Sequence, residues 1–220
     1  MFKHILLILL FILTACAPAP TNTPNPLSSA SETPQVIKIY ATQVTHSWLM
    51  DAYTCAEQLH ILLYAENDPQ AADIKIQLGE PEQLTSPAFQ IGQDDIVVVA
   101  NRESALQNMS EAEIRQLFSN PTAEQGQVWV FSTGQDSQQV FNKAVMKGQA
   151  ITSLARVALS PQQMSDVLNQ DKNAVGILPR LWKAGAVRDI YTITGIPILA
   201  IIKTEPQGQI QSILGCLQKK

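Results

Sequence analysis

At 220 residues and 24.1 kDa, with 45% apolar, 15% charged and 6% aromatic residues, the chain carries enough apolar material for a buried core, which excludes wholesale disorder. A formal charge of −4 and a pI near 5.3 exclude a generally basic face for nucleic acid, since neutralising phosphates needs clustered Lys and Arg. Three histidines and three cysteines leave little material for a zinc site.

Residues 1–16 read MFKHILLILLFILTAC, with Lys3 ahead of an apolar run over residues 5–13. That run falls well short of the roughly 20 residues a bilayer-spanning helix needs, and its pattern is that of an export signal. Leu13-Thr14-Ala15-Cys16 resembles the lipobox of bacterial lipoproteins. The resemblance implies a signal peptide over 1–15, cleavage before Cys16, and a lipid on Cys16 that holds the chain at the extracytoplasmic face of the cell membrane. Residues 17–35 hold five of the thirteen prolines and one apolar side chain larger than alanine, Leu27. Such a segment buries too little surface to fold. With the lipidated cysteine, residues 16–35 form a tether, spanning roughly 25 Å as a flexible coil or about 60 Å as extended polyproline II.

Folded structure is expected from residue 36. Residues 36–42 (VIKIYAT) alternate as a strand does. Ser47 is placed to cap a helix in which Trp48, Leu49, Ala52, Cys55, Ala56, Leu59, Leu62 and Leu63 fall at three- and four-residue spacing. Strands follow at 73–78 (DIKIQL), 95–100 (DIVVVA) and 127–131 (QVWVF). Ser110 and Glu113 form a capping box for a helix through Phe118, and Thr133–Ser137 leads into a helix carrying Val140, Phe141, Ala144 and Val145. Ser160, Pro161 and Gln163 open another helix, followed by a strand at 174–178 (AVGIL). The apolar stretch 190–202, broken by Gly195 and Pro197, reads as buried strands with a turn, the second over 196–203. A last helix spans 207–218. Alternation of this kind predicts an α/β fold.

Four segments taken in order resemble the type II solute-binding proteins of ABC transporters, in particular the relatives of the phosphate-binding receptors. They are DDIVVVANRESALQNMSEAEIRQLFSN (94–120), VWVFSTGQDSQQVFNKAV (128–145), ALSPQQMSDVLNQDKNAVGILP (158–179) and GIPILAIIK (195–203). The resemblance implies a compact two-lobed α/β fold of the type II periplasmic-binding-protein kind. Lobe I would comprise 36–101 with 196–220, lobe II would comprise 102–195, and the crossings would lie near Asn101 and Ile196. It also implies a monomer that binds a small polar or anionic solute in the cleft and passes it to an ABC permease, with no cofactor. Phosphate-binding relatives carry an Arg-x-Asp-x-Ser-Gly-Thr run before the second-lobe helix. Here, aligned on Phe141, the arginine position is Phe131 and only Ser137 keeps a hydroxyl at the helix start. The residues therefore do not support phosphate. The first lobe is also short, because the helix after Ser47 runs almost directly into strand 73–78 where relatives insert a strand, a loop and a helix.

The candidate ligand residues lie on two turns. Thr45, His46 and Ser47 follow the first strand, where open α/β sheets bind ligands; they form either a polar pocket edge or a plain helix cap with an exposed histidine. Thr133, Gly134, Gln135, Asp136 and Ser137 make the matching turn of the second lobe, either a ligand contact or a capped surface loop. Arg102 and Arg180 either face the cleft to pair with an acidic solute or are ordinary exposed arginines. Beyond Cys16 the cysteines are Cys55 and Cys216. In an exported protein an even pair invites a bridge, and the implied topology returns the last helix to the first, so a Cys55–Cys216 disulfide is expected. Neither His46 nor His60 stands at metal-ligand spacing from them, so no metal site is expected. The chain has no Gly-x-Ser-x-Gly, His-Glu-x-x-His or Gly-x-x-x-x-Gly-Lys motif, and the expectation is a protein that does no chemistry itself. The alternative from another class is a binding-protein-like module with a degenerate cleft, used for sensing or protein contact at the envelope.

Overall fold

A computed structural model describes residues 36–219. The signal peptide, Cys16 and the tether expected over residues 1–35 lie outside the described residues. Alternating burial along β1 (Val36–Ala41) puts Ile37 and Ile39 inside, between two parallel neighbours, β2 (Leu62–Ala65) and β3 (Ile74–Leu78). Helix α1 (His46–Gln58) joins β1 to β2 and buries Leu49, Ala52, Cys55 and Ala56. After β4 (Ala88–Asn101) come α2 (Glu111–Ser119) and β5 (Gln127–Phe131). Helix α3 (Asp136–Phe141) then passes into a π-helical turn at Asn142–Met146, followed by β6 (Arg156–Ala158) and α4 (Pro161–Gln170). The chain ends with β7 (Ala174–Pro179), β8 (Val187–Ile202) and α5 (Gly208–Leu217).

The strands form one sheet in the order β2-β1-β3-β8-β4-β7-β5-β6. Its middle is the long antiparallel pair β4–β8, which belongs to both halves of the molecule; β2, β1 and β3 flank it on one side and β7, β5 and β6 on the other. The register of that pair jumps from Asp94↔Ile196 to Ile96↔Ile193, leaving an extra residue on β8 beside Gly195 at φ 69°. A bulge of this kind bends a strand ribbon and increases its twist. One buried apolar cluster runs through both, from Ile37, Ile39 and Ile76 to Phe118, Phe141 and Met164, with the Phe118 and Phe141 rings 4.7 Å apart. Asn101 is buried at the far end of β4, where its side-chain amide donates to the Leu168 and Asn169 carbonyls at 3.2 and 2.9 Å. It thereby satisfies two of the free carbonyls at the C-terminus of α4.

Several local expectations are corrected. The first helix stops at Gln58 instead of reaching Leu63. The Ile61 amide donates to the Ala56 carbonyl at 2.9 Å and the His60 amide to Glu57 at 3.2 Å, with His60 at φ 56°; this is the bonding of a Schellman stop, built on histidine where glycine is usual. The freed residues become β2, so the first half has an additional strand that the sequence reading did not expect. Ser47 is not a cap: α1 begins at His46, and its N-cap Thr45 makes no capping bond because its hydroxyl is turned to the Ile76 carbonyl, 3.2 Å away. Strand β4 starts at Ala88, and β8 is a single strand through Gly195, since a bulge absorbs the glycine without a chain reversal. The Ser110–Glu113 capping box forms as expected. Ser160 caps α4, but the Gln163 side chain accepts from the Leu159 amide at 2.7 Å rather than closing a box. The Cys55–Cys216 disulfide is present, with Cα atoms 5.9 Å apart, tying α1 to α5.

Candidate functional site

The C-terminal ends of β1 and β3 and that of β5 open toward one crevice between the halves. On the first side stand Thr42, the 3-10 turn Gln43–Thr45, and Leu78 followed by Gly79. On the second side the loop after Phe131 leads to Asp136, the first residue of α3. The Asp136 carboxylate crosses the crevice. Its Oδ2 accepts the Thr42 hydroxyl at 2.6 Å and the Leu78 backbone N–H at 2.9 Å, while Oδ1 accepts the Ser137 N–H at 2.9 Å. Thr42 has one hydroxyl proton and gives it to Asp136; the Thr45 hydroxyl lies 3.0 Å from the Thr42 hydroxyl oxygen. Asp136 is 7% exposed. Burial pushes its carboxyl above the ordinary aspartate value, and the bonds from Thr42, Leu78 and Ser137 pull in the opposite direction.

Two further contacts close the crevice. The Trp182 indole N–H donates to the Val44 carbonyl at 3.1 Å. Gly79, at φ 75°, lies so close to α3 that a Cβ there would stand 2.5 Å from Val140 Cγ2. The remaining space is divided. A cavity of about 850 Å³ is lined by Gly79, Glu80 and Glu82 from one half, Thr133, Gln139 and Lys143 from the other, and Ile196 and Pro197 from β8. Two smaller cavities, about 310 and 220 Å³, both touch Tyr40, Thr42, Gly134 and Asp136; the larger also takes in Lys75, Gln77 and Glu82.

The structure brings some of the expected site residues together and leaves others apart. Asp136 bridges to the first turn, Gly134 lines both smaller cavities, Gln135 lines the smallest, and Thr133 lines the largest. Ser137 is fully buried, with no hydrogen-bond partner for its hydroxyl among the described residues. Thr45 is fully buried, whereas His46 and Ser47 are exposed and line none of these cavities. Arg102 follows Asn101, which pairs with Val187, while the crevice end of β4 is marked by Ile96 opposite Pro179. Arg102 therefore lies six residue steps, roughly 20 Å, along the chain from Ile96 and the crevice. Arg180 is committed internally. Its Nε reaches Asp95 and one terminal nitrogen reaches Asp189, each at 2.9 Å. Asp95 also accepts the Gly195 N–H at 2.9 Å, and that bond, together with Arg180, holds its carboxyl below the ordinary value. Arg180 thus braces the bulge between the halves.

No family model matches the chain, and no curated protein matches it. Solved structures do. A putative phosphate ABC transporter substrate-binding protein with bound phosphate from Clostridium perfringens superposes with a TM-score of 0.71 at 11% identity, covering 83% of this chain and 93% of that one. An ABC-type phosphate transport receptor from Vibrio cholerae gives 0.65 at 13%, covering 84% and 93%. The fold is that of the type II periplasmic binding proteins. Regulatory domains share it: the CcmR regulatory domain from Synechocystis, in complex with 2-PG, gives 0.61 at 14%, covering 84% and 96%. At such identities the likeness is one of fold.

Sequence reasoning missed Thr42, the Leu78 amide, Trp182 and Asp95. Thr42 reads as the last residue of a strand, and a backbone amide has no signature. Its partner Asp136 was legible as a helix-start residue, but its reach across to the first half was not.

Proposed function

We propose that the protein is a lipid-anchored extracytoplasmic solute-binding protein that hands a small polar solute to an ABC permease. The observation that carries the reading is the 850 Å³ cavity walled by both halves and floored by Ile196 and Pro197 of the crossing strand, since closure on a solute there engages both lobes at once. The hinge in this reading is the bulged segment at Asp94–Asp95 and Gly195. Lobe I is then β1–β3, the first part of β4, the end of β8 and α5, and lobe II is the remainder. Cys16 supplies the anchor. Among the described residues no helix is long and apolar enough to cross a membrane. The experiment is a thermal-shift screen of the full chain against sugars, amino acids, polyols and oxyanions. A true solute raises Tm in proportion to RT ln(1 + [L]/Kd), and no response across the panel refutes the receptor reading. A Cys16→Ala variant should leave the membrane fraction; retention equal to the parent's refutes the anchor.

One observation favours the second reading, a cleft retired from transport and used for sensing or protein contact. Asp136 and Trp182 already tie the halves together across the crevice. A silent screen combined with a membrane-retained chain is the outcome that selects it.

A further inference from the structure

The donors that surround Asp136 are those an oxyanion needs: one hydroxyl and two backbone N–H groups converging on a single carboxylate. The Leu78 and Ser137 amides have one proton each, and the Thr42 hydroxyl has one; all three are spent on Asp136. Both smaller cavities of the crevice include this carboxylate in their walls, so anything entering them meets its charge. The larger of the two adds one cation, Lys75, and a second carboxylate, Glu82. A second anion at about 4 Å from Asp136 meets repulsion worth roughly a thousandfold in affinity near a protein surface. The contact also spans the two halves, so the carboxylate already does the bridging that a bound anion would do.

We infer that Asp136 is a specificity-determining residue, a tethered carboxylate that fills the oxyanion seat of the cleft. The chain therefore rejects phosphate, sulfate and carboxylate groups there and takes a solute that offers hydrogen-bond donors. The inference deepens the solute-binding reading and rests on it for the choice of natural solute, but the seat itself is testable without that solute. Removing the side chain leaves the Thr42 hydroxyl and the Leu78 and Ser137 amides free, beside a cavity of about 310 Å³.

The test is isothermal titration of the full chain with sodium phosphate and sodium sulfate at fixed ionic strength, comparing the parent with Asp136→Ala. The parent should give no saturable heat, and Asp136→Ala should bind one oxyanion at least about 100-fold more tightly, as expected for two or three charge-assisted bonds gained. Adding Thr42→Val to Asp136→Ala should weaken that binding by roughly tenfold, the worth of one donor. Oxyanion binding by the parent as tight as by the variant overturns the inference, and so does a folded Asp136→Ala that binds neither ion. Should Asp136→Ala fail to fold by circular dichroism, Asp136→Ser decides, since it removes the charge, vacates the seat and keeps a small polar group at the start of α3: weaker but saturable binding supports the seat, and none overturns it. The two readings fail separately. An oxyanion-bearing solute found for the parent in these cavities sinks the inference and leaves a receptor, whereas a parent silent to every solute beside an Asp136→Ala that gains sulfate sinks the receptor and leaves the seat.

Discussion

Replacing both Cys55 and Cys216 with alanine removes a cross-link between residues 161 positions apart. In the chain-entropy account a loop of that length costs the unfolded ensemble about 17 cal/mol/K, or about 5 kcal/mol at 25 °C. The two α-carbons are 5.9 Å apart, within the usual range for a bridge, and the bonded helices α1 and α5 pack directly on one another. For a folded region of this size each kcal/mol moves Tm by roughly 2–4 °C, so the double variant should melt about 10–20 °C below the parent. Because the bridge acts by restricting the unfolded chain, its loss should also raise the urea m-value, as the unfolded state exposes more surface. Chemical denaturation and calorimetry of the two proteins measure both quantities. A Tm drop under about 3 °C with an unchanged m-value would refute the reasoning, for it would mean that the bridge restrains little in the unfolded chain.

Gly79→Ala puts a side chain at φ 75° and 2.5 Å from Val140 Cγ2. It should cost about 2 kcal/mol, roughly 4–8 °C in Tm, with part recovered by adding Val140→Ala; a neutral result contradicts the close approach of the halves. His60→Gly should stabilise the fold by about 0.5–1 kcal/mol by relieving the left-handed residue that ends α1, and an equal loss would show that the histidine side chain is needed there. Asp136→Asn tests the buried carboxyl through pH. Its folded pKa lies above the unfolded value of about 3.9, so the stability contributed by the protonated form is complete below that pH and lost as pH rises through the folded pKa. The parent's Tm advantage over Asp136→Asn should therefore be larger at acid pH than at neutrality, and calorimetry giving the reverse trend would show the carboxyl to be depressed instead.

Most of the framework was legible because it is written locally. Ser110 with Glu113, and Ser160 with Pro161, mark helix starts by side-chain chemistry within one turn, and the alternation of residues 36–42 marks a strand by itself. What was not legible depends on distant partners. Leu62 and Leu63 continue the helical spacing of α1, and only the turn at His60 and pairing with β1 make them a strand. Gly195 beside Pro197 reads as a turn, yet pairing with β4 across the bulge keeps β8 continuous. The site divides in the same way. The turns at 45–47 and 133–137 were marked by polar residues, but Asp136 meets Thr42, read as the end of a strand, across 94 positions of sequence. Arg180 carries no local sign of the two carboxylates that occupy it.

The measurement that bears most directly on the crevice is a double-mutant cycle between its two sides, using Thr42→Val, Asp136→Ala and the double variant with unfolding free energies from urea titration. A hydrogen bond to a buried carboxylate should appear as a coupling of about 1.5–3 kcal/mol. Additivity within about 0.5 kcal/mol would mean that the carboxylate does not hold the two halves together, and the account of the cleft would fall with it.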